Sequence, residues 1–149
     1  MKTILVPIDF SDVTGKVVET AAALAAAFGS NVILVHVTEP EPQFVGYEPG
    51  PLSVRVAVAG DIATDRRLDA LKHQLGAADV LTLHVEGSIP DEILSLAREH
   101  GATLIVMGSH GHGAFYQLLA GSVTTAVLKD APCPVLIVPS DRRRSQPAG

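Results

Sequence analysis

Five short apolar runs punctuate the chain, at residues 3–8, 32–37, 80–85, 103–107 and 135–138, each rich in Val, Ile and Leu. They mostly do not alternate with polar positions, so they predict strands buried on both faces, the habit of a parallel sheet. The segments between them carry helical spacing. Val17, Ala21, Leu24, Ala25 and Phe28 fall on one face, and Gly29 stops that helix. Leu68, Leu71 and Leu75 suggest a second helix ending near Gly76. A third has Ser88 as N-cap, Pro90 in its first turn, Asp91 three residues after the cap, then Ile93, Leu96, Ala97 and His100 before Gly101. A fourth begins near Gly121 or Ser122, carries Val123 and Val127, and must stop before Pro132. Strand and helix therefore alternate throughout, and right-handed crossovers wind such a pattern into a three-layer α/β sandwich.

Composition fits one such unit. The 149 residues are 47% hydrophobic and 18% charged, enough for a single core and against a disordered chain. A net charge of -5 offers no basic face to a nucleic-acid backbone, so no nucleic-acid partner is expected. The longest apolar stretch, residues 17–28, is broken by Glu19 and falls short of the roughly 20 residues of a membrane span. No secretory signal is visible before Pro7, and Cys133 stands alone, which excludes an internal disulfide. A cytoplasmic domain over residues 1–140 is expected, followed by a disordered basic tail over 141–149 in which Arg142 to Arg144 are solvated.

Two segments break the rhythm. Residues 38–60 hold Pro40, Pro42, Pro49 and Pro51 and exceed the usual connection length. Residues 108–121 contain four glycines, leave the fourth strand directly and end on a helix start. Gly108, two residues, Gly111, nine residues, then Gly121-Ser122 is the spacing that needs explaining. Glycines let a backbone approach a ligand, and a helix N-terminus presents unpaired N–H groups, a combination suited to phosphate. A flexible glycine-rich surface loop is the plainer alternative. Gly15-Lys16-Val17 fails as a P-loop ending, and Asp9-Phe10-Ser11-Asp12 stands where a dinucleotide fingerprint would need glycines. Met107 spoils a nucleophile elbow around Ser109.

The stretch from Gly108 to Ser122 resembles the ATP-binding signature of the universal stress protein family, Gly, two residues, Gly, nine residues, Gly, then Ser or Thr. Ile4-Leu5-Val6-Pro7-Ile8-Asp9-Phe10-Ser11 is similar to that family's opening strand, Leu34-Val35-His36-Val37 to its second, and the run from Ala131 to Pro139 to its closing strand. The resemblance implies an adenine nucleotide alpha hydrolase-like fold with strand order 3-2-1-4-5, whose reversal lies between strands one and four. It implies that Pro7, Ile8 and Asp9 lie beside base and ribose and that the Val37 backbone meets the adenine. It further implies that Met107, Gly108, Ser109, His110, Gly111 and Gly113 flank sugar and phosphates, and that Gly121, Ser122, Val123 and Thr124 approach or donate to the phosphates. The chemistry is reasonable: a carboxylate can accept from ribose hydroxyls, an apolar Val37 can cover a base, and amides can cap a polyphosphate.

Plainer readings stand beside these. Asp9 with Ser11 could cap the following helix, a role worth about 1 kcal/mol. His110, His112, His36, His84 and Cys133 match no zinc spacing and read as solvated loop histidines and a packed thiol. Residues 115–119 could close the pocket as a packed half-turn.

The implied function is an ATP-binding regulatory stress-response protein, a nucleotide-dependent switch for an unknown protein partner, with Mg or Mn held through the phosphates. The alternatives are a nucleotide-free dimeric interaction module and a slow ATPase, or self-phosphorylation on Ser109 or Ser122. No loop lysine or arginine is available for turnover. A homodimer through the fifth strand is also expected, since an apolar edge without charge invites pairing.

Overall fold

The computed structural model describes residues 2–40, 58–76, 79–109 and 122–140. Along the chain they form β1 (Thr3–Pro7), α1 (Thr14–Phe28), β2 (Asn31–Thr38), α2 (Val58–Leu75), β3 (Val80–Glu86), α3 (Ile89–Glu99), β4 (Leu104–Gly108), α4 (Ser122–Asp130) and β5 (Val135–Val138). The strands make one parallel sheet in the order β3-β2-β1-β4-β5. Right at its centre, β1 pairs with β2 on one side and β4 on the other, so the chain reverses its direction of travel there. The segment 41–57, the loop from His110 to Gly121 and the tail 141–149 lie outside the described residues.

Alternation along the strands builds two cores. Ile4, Val6, Val32, Leu34, Leu104 and Val106 pack against Val17, Val18, Ala21 and Ala25 of α1 and Leu68 and Leu75 of α2. Leu5, Ile33, Val35, Val37, Ile105 and Met107 face the other way, onto Ile93, Leu94, Leu96 and Ala97 of α3 and Val127 of α4. With a period of two residues, each central strand feeds both layers, which is why its sequence shows no polar alternation. Burying each large aliphatic side chain contributes about 1.5–3 kcal/mol.

The edges depart from the both-face burial that the apolar runs suggested. Leu81 of β3 is 45% exposed and Leu136 of β5 is 37% exposed. An edge strand is covered by at most part of a helix layer, and composition alone does not separate such a strand from a central one. Phe28, counted on the apolar face of the first helix, is also exposed, at 52%. It is the last residue of α1. Gly29 ends that helix at φ 63°, its N–H donating to the Ala25 carbonyl. In α3, Ser88 holds the N-cap position without a side-chain cap bond, Pro90 lies in the first turn, and Asp91, Glu92 and Arg98 sit at the ends that suit the helix dipole. His100 falls just beyond the helix and is exposed.

Candidate functional site

The carboxyl ends of β1 and β4 lie side by side at the reversal point, where open α/β sheets take their ligands. Four chain segments meet there: the turn from β1 into α1, the end of β2, the end of β4 and the start of α4.

In the first segment, Pro7 ends β1, and Ile8, 4% exposed, donates its N–H to the Val35 carbonyl at 2.7 Å. Asp9 is exposed and accepts the Ser11 N–H on Oδ1 at 3.0 Å. Between them Phe10 takes φ 59°, a left-handed conformation costly for a bulky residue. The helix-cap reading of Asp9 and Ser11 is thereby corrected. α1 starts at Thr14 after Val13, with no side-chain cap bond, and Asp9 instead braces a local turn. The Ser11 and Thr14 hydroxyls are buried and have no hydrogen-bond partner among the described residues.

In the second segment the main-chain direction of β2 matters most. The Val32 N–H donates to the Asp79 carbonyl and the Thr38 carbonyl accepts the Gly87 N–H, so even-numbered residues of β2 turn their peptide groups to β3. The Asn31 N–H donates to the Lys2 carbonyl and the Val35 carbonyl accepts from Ile8, so odd-numbered residues turn theirs to β1. The β1–β2 register ends at Pro7↔Val35. Val37 thus directs its N–H and C=O to the β1 side, beyond the last paired residue of β1. Its side chain is 7% exposed and belongs to the core under α3 and α4, so contact with a ligand would come from the main chain and not from an apolar cover.

In the third and fourth segments, Met107 is 5% exposed, Gly108 ends β4 and Ser109 donates its N–H to the Val138 carbonyl at 3.0 Å. Ser122 opens α4 and is exposed, Val123 is half-buried, and Thr124 is 2% exposed. The Thr124 hydroxyl lies 2.9 Å from the Ser109 carbonyl and 3.3 Å from that of Gly108. One buried side chain therefore fastens the first turn of α4 to the end of β4, and holds together the two ends of the intervening loop. Gly108 also has a packing reason to be glycine: a Cβ there would stand 2.7 Å from Cγ1 of Val13. His110, Gly111, Gly113 and Gly121, the remaining expected site residues, lie outside the described residues.

Two histidines depart from the solvated-loop expectation. His36 and His84 sit opposite one another on β2 and β3, ring centroids 5.5 Å apart. Phe10 packs 4.8 Å from the His36 ring, and the Arg67 guanidinium of α2 lies 3.9 Å above the Phe10 ring, a cation–π contact. Sequence reading misses this stack because its members meet only through strand register. Among the described residues no group of three or more His, Cys, Asp or Glu side chains could hold a metal ion. Cys133 is half-buried against the α3/α4 core, and burial pushes its thiol pKa up, away from reactivity.

A family model, described as the Universal stress protein family, matches residues 1–139. The chain belongs to that family. Among its relatives, a universal stress protein of Thermus aquaticus is 36% identical, over 92% of this chain and 98% of its own length. A solved universal stress protein in complex with cAMP is 28% identical and superposes with a TM-score of 0.68, covering 92% of this chain and 95% of that one. Another, from Archaeoglobus fulgidus in complex with dAMP, is 25% identical with a TM-score of 0.64, covering 92% and 97%. Among the described residues of this universal stress protein domain, no helix is long and apolar enough to cross a membrane.

Proposed function

We propose that this protein binds ATP at the carboxyl ends of β1 and β4 and acts in the cytoplasm as a nucleotide-dependent regulatory switch. The observation that carries this reading is the Thr124 fastening, which draws the start of α4 onto Gly108 and Ser109 beside the Asp9 turn. The intact Gly108, Gly111, Gly121-Ser122 spacing and the adenine nucleotides held by solved relatives support it. In this reading the Val37 N–H and C=O address the adenine edge, the Asp9 carboxylate accepts from ribose hydroxyls, and the amides from Gly121 to Val123 cap the phosphates. Ile8 and Met107 support the floor from the core, and Ser109, His110, Gly111 and Gly113 run along the phosphates. Mg or Mn would enter with the phosphates, whose oxygens are its natural ligands.

Binding without turnover is the activity proposed. Residues 108–124 contain no lysine or arginine to offset charge developing on a transferred phosphoryl group. Isothermal titration tests the reading. Wild-type protein is expected to bind ATP, and Gly121→Val, which sets a branched side chain where phosphate approaches the backbone, is expected to abolish binding without unfolding the sheet. A wild-type Kd weaker than roughly 1 mM would favour a nucleotide-free interaction module.

The same reading includes a homodimer through β5. That strand is an edge, its Leu136 is exposed and no charge interrupts it. Light scattering is expected to report about twice the chain mass, and Leu136→Lys to lower it. Val138 is unsuitable for the same test, because at 5% exposure it belongs to the core.

A further inference from the structure

We infer that His36 is a positioning residue: it takes the Ile8 carbonyl out of the β1–β2 ladder, leaving the Val37 main-chain edge open and setting the turn that carries Asp9. The inference rests on the nucleotide site proposed above and extends it to a residue outside that site.

Ladder geometry defines the position. The Asn31 N–H donates to the Lys2 carbonyl, so in this parallel register each odd-numbered amide of β2 reaches the carbonyl 29 residues earlier. Carried one step past the end of β1, the same offset would bring the Val37 N–H to the Ile8 carbonyl. The structure places the His36 imidazole on that oxygen, Nδ1 to O 2.7 Å. A carbonyl oxygen only accepts, so Nδ1 carries the proton. The side chain at position 36 stands on the α1/α2 face, and Phe10 packs its ring on the imidazole from the same face. The Arg67 guanidinium lies over the Phe10 ring, 3.9 Å from its centroid.

The strained backbone belongs to the same device. Phe10 is the residue with positive φ among the described non-glycine residues, and its ring is held where that φ points it. The Ser11 N–H to Asp9 Oδ1 bond closes the turn and fixes one oxygen of the carboxylate. The hydrogen-bonded imidazole and the stacked ring therefore over-determine a conformation that the sequence Ile8-Asp9-Phe10 would not adopt unaided. His36 is not placed in contact with the ligand. It acts through Asp9 and through the Val37 edge.

The test uses the full chain and three substitutions. His36→Phe keeps a ring against Phe10 and removes the donor. His36→Asn restores an N–H near the Nδ1 position. Phe10→Ala removes the ring at unchanged backbone chirality, and because Phe10 is only half-buried it guards against a failure of His36→Phe to fold. Imidazole nitrogen shifts are expected to show the proton of His36 on Nδ1. Hydrogen exchange at the Ser11 amide is expected to speed up roughly tenfold in His36→Phe and Phe10→Ala and to return towards wild type in His36→Asn. ATP affinity is expected to fall by roughly tenfold in the same two variants. When either is combined with Asp9→Ala the total loss is expected to be smaller than the sum of the single losses, because residues that act partly through one group do not fully add.

Unchanged Ser11 exchange in both folded variants would overturn the inference whatever ATP does, and so would a proton found on Nε2 alone. Fully additive losses with Asp9→Ala would overturn the link to the site. Wild-type protein that binds no ATP would sink the nucleotide reading instead, and the shifts and the exchange would still decide the role of His36 in the turn.

Discussion

At the amino ends of the strands, Thr103 serves main-chain groups of two residues at once: its hydroxyl accepts from the Lys2 and Thr3 N–H groups and donates to the Thr3 carbonyl. The neighbouring Asn31 and Val32 amides find the Lys2 and Asp79 carbonyls at 2.9 Å. At the carboxyl ends, by contrast, Phe10 is left-handed, the buried Ser11 and Thr14 hydroxyls have no partner among the described residues, and Val13 leaves no room for a Cβ at Gly108. The left-handed Phe10 and each unpartnered hydroxyl cost on the order of 1–3 kcal/mol. Among the described residues, the amino end pairs these main-chain groups regularly and the carboxyl end sets several local rules aside. A fold stabilised by two full cores can sustain that asymmetry, and the irregular end is the one where the strand order reverses. Substitutions can break that contrast between the two ends.

The largest expected effect is at Gly108. A Cβ there would meet Val13 Cγ1 at 2.7 Å, so Gly108→Ala should destabilise the protein by about 1–3 kcal/mol in chemical denaturation. In a Val13→Ala background the same substitution should cost little, because the opposing methyl is gone. Equal losses in both backgrounds would show that Gly108 serves something other than this contact.

Next in size is a matched pair at the two ends. Thr124→Val removes the hydroxyl that fastens α4 to β4, and Thr103→Val removes the one that closes the amino end. Each should cost about 1–2 kcal/mol of stability at nearly constant volume. Only Thr124→Val should also weaken ATP binding, measured by titration at a temperature where both variants remain folded. Equal loss of affinity in the two would erase the distinction between the ends.

How far the sequence foretells this arrangement depends on the range of the interactions. The helices and strands follow from periodicity, and Gly29 marks the end of α1 because one residue in the left-handed region suffices. The strand order followed from the family likeness of the Gly108 to Ser122 spacing, since apolar runs alone do not say which strand is central. For the same reason the apolar runs by themselves suggest burial on both faces for Leu81 and Leu136, which the edge positions leave partly exposed. The Asp9 turn is open to a capping reading because an acidic residue before a helix suits both, and what decides is that α1 starts at Thr14 without a side-chain cap while Asp9 accepts the Ser11 N–H. His36 and His84 are 48 positions apart and become neighbours through β2–β3 register, a relation no local motif carries. The tightness at Gly108 likewise arises from a helix that starts almost a hundred residues earlier.

The smallest expected effect has the opposite sign. Ser11 and Thr14 are each 9% exposed, and their hydroxyls are shielded without a partner among the described residues. A buried hydroxyl that has lost its water and gained nothing is a net cost, so removing it should relieve the fold. Ser11→Ala deletes only the oxygen, and Thr14→Val replaces it with a methyl of similar size. Each is expected to raise the stability of the free protein by about 0.5–1 kcal/mol, read from the denaturation midpoint at constant slope. The two residues flank Val13 in the turn that presents Asp9 and packs on Gly108, so their polarity lies directly under the proposed site. If the hydroxyls are kept for the liganded state, the same substitutions should weaken ATP binding by about threefold while stabilising the free protein, the usual exchange between stability and function. Stabilisation with unchanged affinity would make them mere imperfections of packing, and the contrast between the two ends of the sheet would then rest on Phe10 and Gly108 alone.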